Sequence, residues 1–215
     1  MEEVRKNVES VRREFNFGSL DLSDVPNNPI EIMEQWLADA IAKQEKDPNA
    51  FVLSTVKDGM PDSRVVLLRD FTENGLTFFT NYQSKKGNDL LDNQLVAVNF
   101  YWIDLDRQVR IQGKVTKVAA KVSDEYFNSR PRSSQIGAWA SNQSTVIASR
   151  GTIEERVAEL EKKYEGQDVP RPEHWGGYLI TPINYEFWQG RASRLHDRLA
   201  FHFENGAWTA NRLAP

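Results

Sequence analysis

The chain has no cysteine. That absence removes disulfides, thiolate metal sites, iron–sulfur clusters and a thiol nucleophile together. It fits a reducing compartment without requiring one. No apolar run approaches the ~20 residues of a membrane-spanning helix. The opening MEEVRKNVESVRREF is too charged for a secretory leader. Basic residues are not in excess: 27 Lys and Arg stand against 31 Asp and Glu, a net charge of −4. A general nucleic-acid surface is therefore not expected. No Gly-x-Gly-x-x-Gly follows a strand pattern, no Walker motif occurs, and no His/Asp/Glu spacing reads as a metal site. Nothing resembles a Ser-His-Asp triad. The expectation is a cytoplasmic protein with no membrane, nucleic-acid or metal partner.

What is present is enough to fold. Apolar residues make up 40% of the chain, with six Trp and eleven Phe, which supports one large domain or two small ones. Val4, Val8, Val11 and Phe15 fall at helical spacing in residues 3–15, a pattern that suits either a short helix or a frayed arm. Residues 1–28 are read as an N-terminal arm and 29–215 as one domain with inserted helices. Asn28 and Pro29 open a helix whose stripe is Met33, Trp36, Leu37, Ala40 and Ile41. Strands are expected at 50–56, 63–71 and 76–81 as a three-strand meander, then at 95–103 and 107–118 as a hairpin. Ser84 opens a short helix. Further helices are expected near 123–130, 133–140 and 152–165, the last with a Thr152–Glu155 capping box. Strands at 177–188, 198–204 and 207–213 close the chain, with Asn205–Gly206 as a hairpin turn. Strands joined by short turns without regular helical crossovers favour a mainly β, antiparallel barrel with peripheral helices.

Chemistry gathers in a few stretches. Arg64 and Arg69 sit in the apolar SRVVLLR, an odd number of residues apart, and so on opposite strand faces. They are either strand-end charges reaching water or guanidinium forks for two anions. Lys85 and Lys86 follow Ser84 at a helix start, a place that suits phosphate but also suits plain solvation. Tyr126, Arg130, Arg132, Ser133, Ser134, Gln143 and Ser144 gather hydroxyl, guanidinium and amide donors. They fit a small phosphate ester or an ordinary polar surface with helix caps. In EFWQGRASRLHDRLAF, Arg194, His196 and Arg198 recur at even spacing. On an extended strand all three face one way and repel unless an anion lies among them. Without a nucleophile or metal set, a cofactor is expected to carry the chemistry.

The motifs SRVVLLR, FFTN…SKKG, FYW…RQVRIQG, YFNSRPRSSQIGAWASNQS, VPRPEHWGGY and EFWQGRASRLHDR…RLAP run in order from about residue 29 to the end. In these the chain resembles the pyridoxamine 5′-phosphate oxidase family. The resemblance implies an FMN-binding split β-barrel, working as a homodimer with two FMN sites at the interface. It assigns FMN to Arg64, Val65, Val66, Leu67, Phe79, Thr80, Lys85, Lys86, Gln108, Gln143, Ser144, Trp188 and Arg198. It assigns the substrate phosphate to Arg69, Tyr126, Arg130 and Ser134. Arg194, Leu195 and His196 would meet the pyridine ring, with Arg194 and His196 as the catalytic pair. Arg12 would join them from an arm that folds over the substrate. The implied reaction oxidises pyridoxamine and pyridoxine 5′-phosphates to pyridoxal 5′-phosphate, with oxygen as acceptor and hydrogen peroxide released. Three departures stand out: Arg69 where Lys is common, Lys85 where Arg is common, and Phe15 where Tyr is common. Two other readings stay open: a related flavin oxidase of the phenazine-biosynthesis type, and a non-catalytic protein that binds flavin or pyridoxal phosphate.

Overall fold

The computed structural model describes residues 7–8, 13–15 and 18–215. Val4, Val11 and Arg12, and with them most of the expected arm helix, lie outside the described residues. Among the described residues there are nine strands and five α-helices. The strands are β1 (Ala50–Lys57), β2 (Met60–Leu67), β3 (Asp70–Thr72), β4 (Gly75–Asn81), β5 (Leu95–Trp102), β6 (Arg107–Lys117), β7 (Trp175–Gln189), β8 (Asp197–Glu204) and β9 (Ala207–Leu213). The helices are α1 (Pro29–Ala42), α2 (Lys85–Asp92), α3 (Ala120–Ser129), α4 (Arg132–Ala140) and α5 (Gly151–Lys163). The strands form one sheet in the order β2-β1-β5-β6-β7-β4-β3, with β8 on β7 and β9 on β8. The order does not close on itself, so the sheet is open rather than a complete barrel. Among the described residues, no helix is long and apolar enough to cross a membrane.

The chain divides into two compact units: Met1–Pro48 with Asn99–Arg110 and Asn184–Pro215, and Asn49–Val98 with Ile111–Ile183. Strands β5, β6 and β7 pass from one to the other. β7 serves each with a different half: residues 175–180 pair with β4, and 184–189 pair with β8.

In the first unit, the Asn28 side chain accepts from the Ile30 N–H, capping α1 as its sequence predicts. The α1 stripe buries Ile32, Met33, Trp36 and Ala40, while Ile41 stays exposed. Trp36 meets Phe187 of β7 edge-on at 5.3 Å, and the Arg107 guanidinium lies over its ring. The β8–β9 hairpin turns at Asn205 and Gly206, both with positive φ, as a tight two-residue turn requires.

The second unit departs from the simple meander. β1 alternates, burying Phe51, Leu53 and Thr55, and pairs with β2 from Ala50↔Leu67 to Lys57↔Met60. The expected 63–71 strand breaks at Leu68–Arg69. Leu68 donates its N–H to Asn49, beside β1, but Arg69 donates to Thr77 of β4. The chain thus changes partner within two residues. The cause lies in β4, which is buried along almost its whole length and needs a neighbour on each side; β3 and β7 supply them. Helices α3 to α5 cover a cluster built on Phe127, Ile136, Tyr164, Val169 and Trp175. The Thr152–Glu155 capping box is not formed. Arg150 is already helical, so Thr152 lies inside the first turn and cannot cap it.

Candidate active site

In the second unit, a cavity of about 300 Å³ opens where the chain switches partner. Its walls are Val65, Val66 and Leu67 of β2, Arg69 from the break, Phe79, Thr80 and Asn81 of β4, Lys86 of α2, Tyr126 and Arg130 of α3 and its end, Gln143, and Trp175. Ten of these were expected to bind a flavin or a phosphate; Asn81 and Trp175 were not singled out. Phe79, Tyr126 and Trp175 lie nearly parallel: Phe79 stacks on Tyr126 at 3.9 Å and on Trp175 at 5.5 Å. The Arg130 guanidinium covers Trp175 at 4.6 Å. One Arg130 nitrogen, Nη1, is buried with no hydrogen-bond partner. An unmet charged donor of this kind is costly unless a ligand meets it. Burial lowers the Arg130 pKa, and the nearby Arg69 charge adds to the effect. The Arg69 guanidinium lies 5.9 Å from the Tyr126 ring, with no hydrogen bond or ion pair to a described residue.

Lys86 is the third cation. It is only 8% exposed. Its Nζ donates to Gln143 Oε1 at 2.9 Å, to Thr80 Oγ1 at 3.2 Å and to Ser84 Oγ at 3.5 Å, all neutral oxygens. Burial, helped by the Arg64 charge, pulls its pKa from 10.5 to about 8. Helix α2 can bring it here because residue 87 is glycine: a Cβ would come within 2.0 Å of the Tyr82 carbonyl oxygen. A phosphate monoester fits this donor set: three cations, none with a carboxylate in ion-pair range among the described residues, beside a stack of flat rings.

Arg64 and Lys85 are placed differently. Arg64 Nη1 donates to the Leu53 carbonyl and to Thr55 Oγ1, and its Nη2 reaches Asp62 at 2.8 Å. Lys85 reaches Asp62 at 2.8 Å and Asp89 at 3.4 Å. Asp89 is buried and accepts from Thr55 Oγ1 at 2.7 Å. The opposite-face argument for Arg64 and Arg69 fails, because β2 ends at Leu67 and strand alternation does not reach Arg69. The two arginines still meet different surroundings. Ser134, half-buried on α4, and Ser144, exposed with φ of 73°, do not line the cavity.

In the first unit, Trp188, His196 and Phe15 form a ring cluster. Trp188 and His196 are 4.5 Å apart, and Phe15 meets both edge-on. Gly190 makes room, since a Cβ there would approach Phe15 and Asp106 to under 3 Å. His196 Nδ1 accepts from the Arg191 N–H at 3.1 Å. The ring proton therefore sits on Nε2. Burial and the Arg194 charge lower the His196 pKa, against a weaker pull from Asp106. Both effects favour the neutral imidazole, which offers Nε2–H as a donor.

Alternation does not place Arg194, His196 and Arg198 on one face. Ser193 and Arg194 are left-handed, with φ of 58° and 59°, and β8 starts only at Asp197. Arg194 and Leu195 are exposed in that turn. Arg198 is held by Glu186 Oε1 at 2.8 Å and by the Ala214 carbonyl at 2.8 Å, which gives the terminal Arg-Leu-Ala-Pro a structural task. Glu186 also accepts from Arg110. Gln108 is half-buried on β6.

Two family models match: pyridoxamine 5′-phosphate oxidase over residues 37–164, and the pyridoxine 5′-phosphate oxidase C-terminal dimerisation region over 175–215. A pyridoxine/pyridoxamine 5′-phosphate oxidase of Nostoc punctiforme is 49% identical over 212 residues, covering 98% of this chain and 99% of that protein. One of Christiangramia forsetii is 49% identical over 99% of this chain and its own whole length. Among solved structures, PhzG from Burkholderia lata, in complex with tetrahydrophenazine-1-carboxylic acid, superposes with TM-score 0.85 at 29% identity, covering 92% of this chain and all of that one. A pyridoxamine 5′-phosphate oxidase-related, FMN-binding protein from Nostoc punctiforme gives 0.70 at 15% identity, over 89% of this chain and all of its own, and supports the split-barrel fold. With both family models spanning nearly all of the described sheet, this chain is an oxidoreductase that belongs to the pyridoxamine 5′-phosphate oxidase family.

Proposed function

We propose that the protein oxidises pyridoxine 5′-phosphate and pyridoxamine 5′-phosphate to pyridoxal 5′-phosphate, as a cytoplasmic homodimer with FMN bound non-covalently and residues 29–215 acting as one domain. The observation that carries this reading is the uncommitted cation set of the cavity: Arg130 with its orphaned Nη1, Arg69 with no described partner, and Lys86 without a carboxylate. Arg69, Arg130 and the Tyr126 hydroxyl hold the substrate phosphate, with Ser134 as a further donor. Arg64, Val65, Val66, Leu67, Phe79, Thr80, Lys85, Lys86, Gln143 and Ser144 hold FMN, together with Gln108, Trp188 and Arg198. The match to a dimerisation region over 175–215 supports the homodimer.

Bound here, FMN would supply two-electron redox chemistry for oxidation at the substrate's 4′ carbon, with oxygen as the final acceptor and hydrogen peroxide as its product. The chain's own residues bind and orient. Fixing the phosphate at one end pins the ring's reacting carbon, which converts binding into positioning. His196, with its ring proton on Nε2, donates to a ring substituent. Arg194, which pairs with no carboxylate among the described residues, packs over the ring. The alcohol substrate gives the aldehyde directly. The amine gives an imine, which water hydrolyses with release of ammonia.

The test is anaerobic addition of pyridoxine 5′-phosphate to the FMN-loaded protein. Bleaching of the flavin, recovery of colour in air and stoichiometric pyridoxal phosphate support the reading. A flavin that stays oxidised refutes it; bleaching instead by tetrahydrophenazine-1-carboxylic acid, the ligand bound by the Burkholderia protein, would favour the phenazine-type oxidase reading.

A further inference from the structure

Asp62 is an oddity in a site read as anion-binding. Its carboxylate lies within 2.8 Å of both Arg64 Nη2 and Lys85 Nζ, two cations assigned to the flavin. Those hydrogen-bonding groups lower its own pKa, the Lys85 contact most strongly. The second carboxylate of the network, Asp89, is of another kind. It is 2% exposed, anchored by Thr55 Oγ1, and 3.4 and 3.7 Å from Lys85 and Arg64. Asp62 is far more open, with a side chain 38% exposed on β2, the last strand of the sheet order.

We infer that Asp62 is an internal anion that occupies Arg64 and Lys85 in the flavin-free protein and sets the affinity for the flavin phosphate by having to give them up. The inference rests on the flavin reading above. The geometry separates the two carboxylates by task. Arg64 Nη1 donates to the Leu53 carbonyl and to Thr55 Oγ1, two acceptors that do not involve Asp62. Asp89 stays buried beside both cations. Asp62, 38% exposed and held otherwise by the neighbouring Ser63 N–H of its own strand, is the one with room to swing outward. An arriving phosphate gains a fork already aimed by β1, but it meets a carboxylate of like sign and must replace it. Asp62 therefore lowers affinity, whereas a residue that merely oriented the cations would raise it.

The experiment is a fluorescence titration of the flavin-stripped full-length chain with FMN and with riboflavin, which lacks the phosphate, for wild type and Asp62→Asn. The expected result is a Kd for FMN about three- to five-fold lower in the variant, the scale of a partly exposed charge pair, with riboflavin's Kd unchanged. A Kd for FMN that is unchanged or higher overturns the inference, as does an equal shift for riboflavin. If neither protein binds either flavin, the cofactor reading itself fails.

Discussion

Two sets of cations in the second unit follow opposite plans. Arg64 and Lys85 each have a carboxylate 2.8 Å away. Arg69, Arg130 and Lys86 have none in ion-pair range among the described residues, and two of them are desolvated enough for their pKa values to fall. The first set keeps its charge at little cost but must exchange a partner to bind an anion. The second carries the desolvation penalty in the empty state and recovers it when an anion arrives. Plain counts of basic residues do not separate these plans; the positions of Asp62 and Asp89 do.

The largest expected effect falls on the uncommitted set. Arg130→Ala removes a charged hydrogen-bond donor, which is worth roughly 1.5–3 kcal/mol. In steady-state assays kcat/KM for pyridoxine 5′-phosphate should fall about 10- to 100-fold, with flavin content unchanged. Loss of flavin instead would move Arg130 to the cofactor.

Lys86 gives a pH signature. Its folded pKa of about 8 lies below the ordinary 10.5. Between these values the unfolded chain holds more protons, so stability of the flavin-free protein should rise as pH goes from about 8 to 10.5. Below pH 8 the burial penalty is fully present. Binding of FMN should weaken over the same range, as the ammonium loses its proton. Thermal melts and Kd against pH measure both, and Lys86→Met should flatten both curves. A wild-type protein whose stability is flat across that range would contradict the assignment.

A smaller effect is expected at Glu186→Gln, which weakens the anchor of Arg198. The Kd for FMN should rise about two- to five-fold in a flavin titration, and an unchanged Kd would remove Arg198 from the cofactor set. The smallest belongs to Asp92→Asn, which breaks the exposed pair with Lys57. Its melting temperature should stay within about 1 °C of wild type, which makes it the control for general charge effects.

Much of the strand order along the chain was legible. Asn28–Pro29, Ser84 and Asn205–Gly206 mark their boundaries through local chemistry, and the structure honours each. Pairing was less legible, because partner choice depends on distant residues. Nothing in SRVVLLRDF announces that Leu68 and Arg69 bond to different strands. The cavity residues were named mostly through family motifs; spacing alone left each of them open. Trp175 was hidden inside the motif VPRPEHWGGY, and its stacking on Phe79 and its place under the Arg130 guanidinium give it a role. Asp89 was findable, since it stands four residues after Lys85 on one helix face. The even spacing of Arg194, His196 and Arg198 misled because a left-handed turn at Ser193 and Arg194 interrupts the strand.

The most direct test of the central claim compares pyridoxine 5′-phosphate with pyridoxine as substrates of wild type and Arg130→Ala. If Arg130 reads the phosphate, the variant loses kcat/KM only toward the phosphorylated substrate, and the ratio between the two substrates collapses by at least about tenfold. If both substrates lose equally, Arg130 does not hold the substrate phosphate.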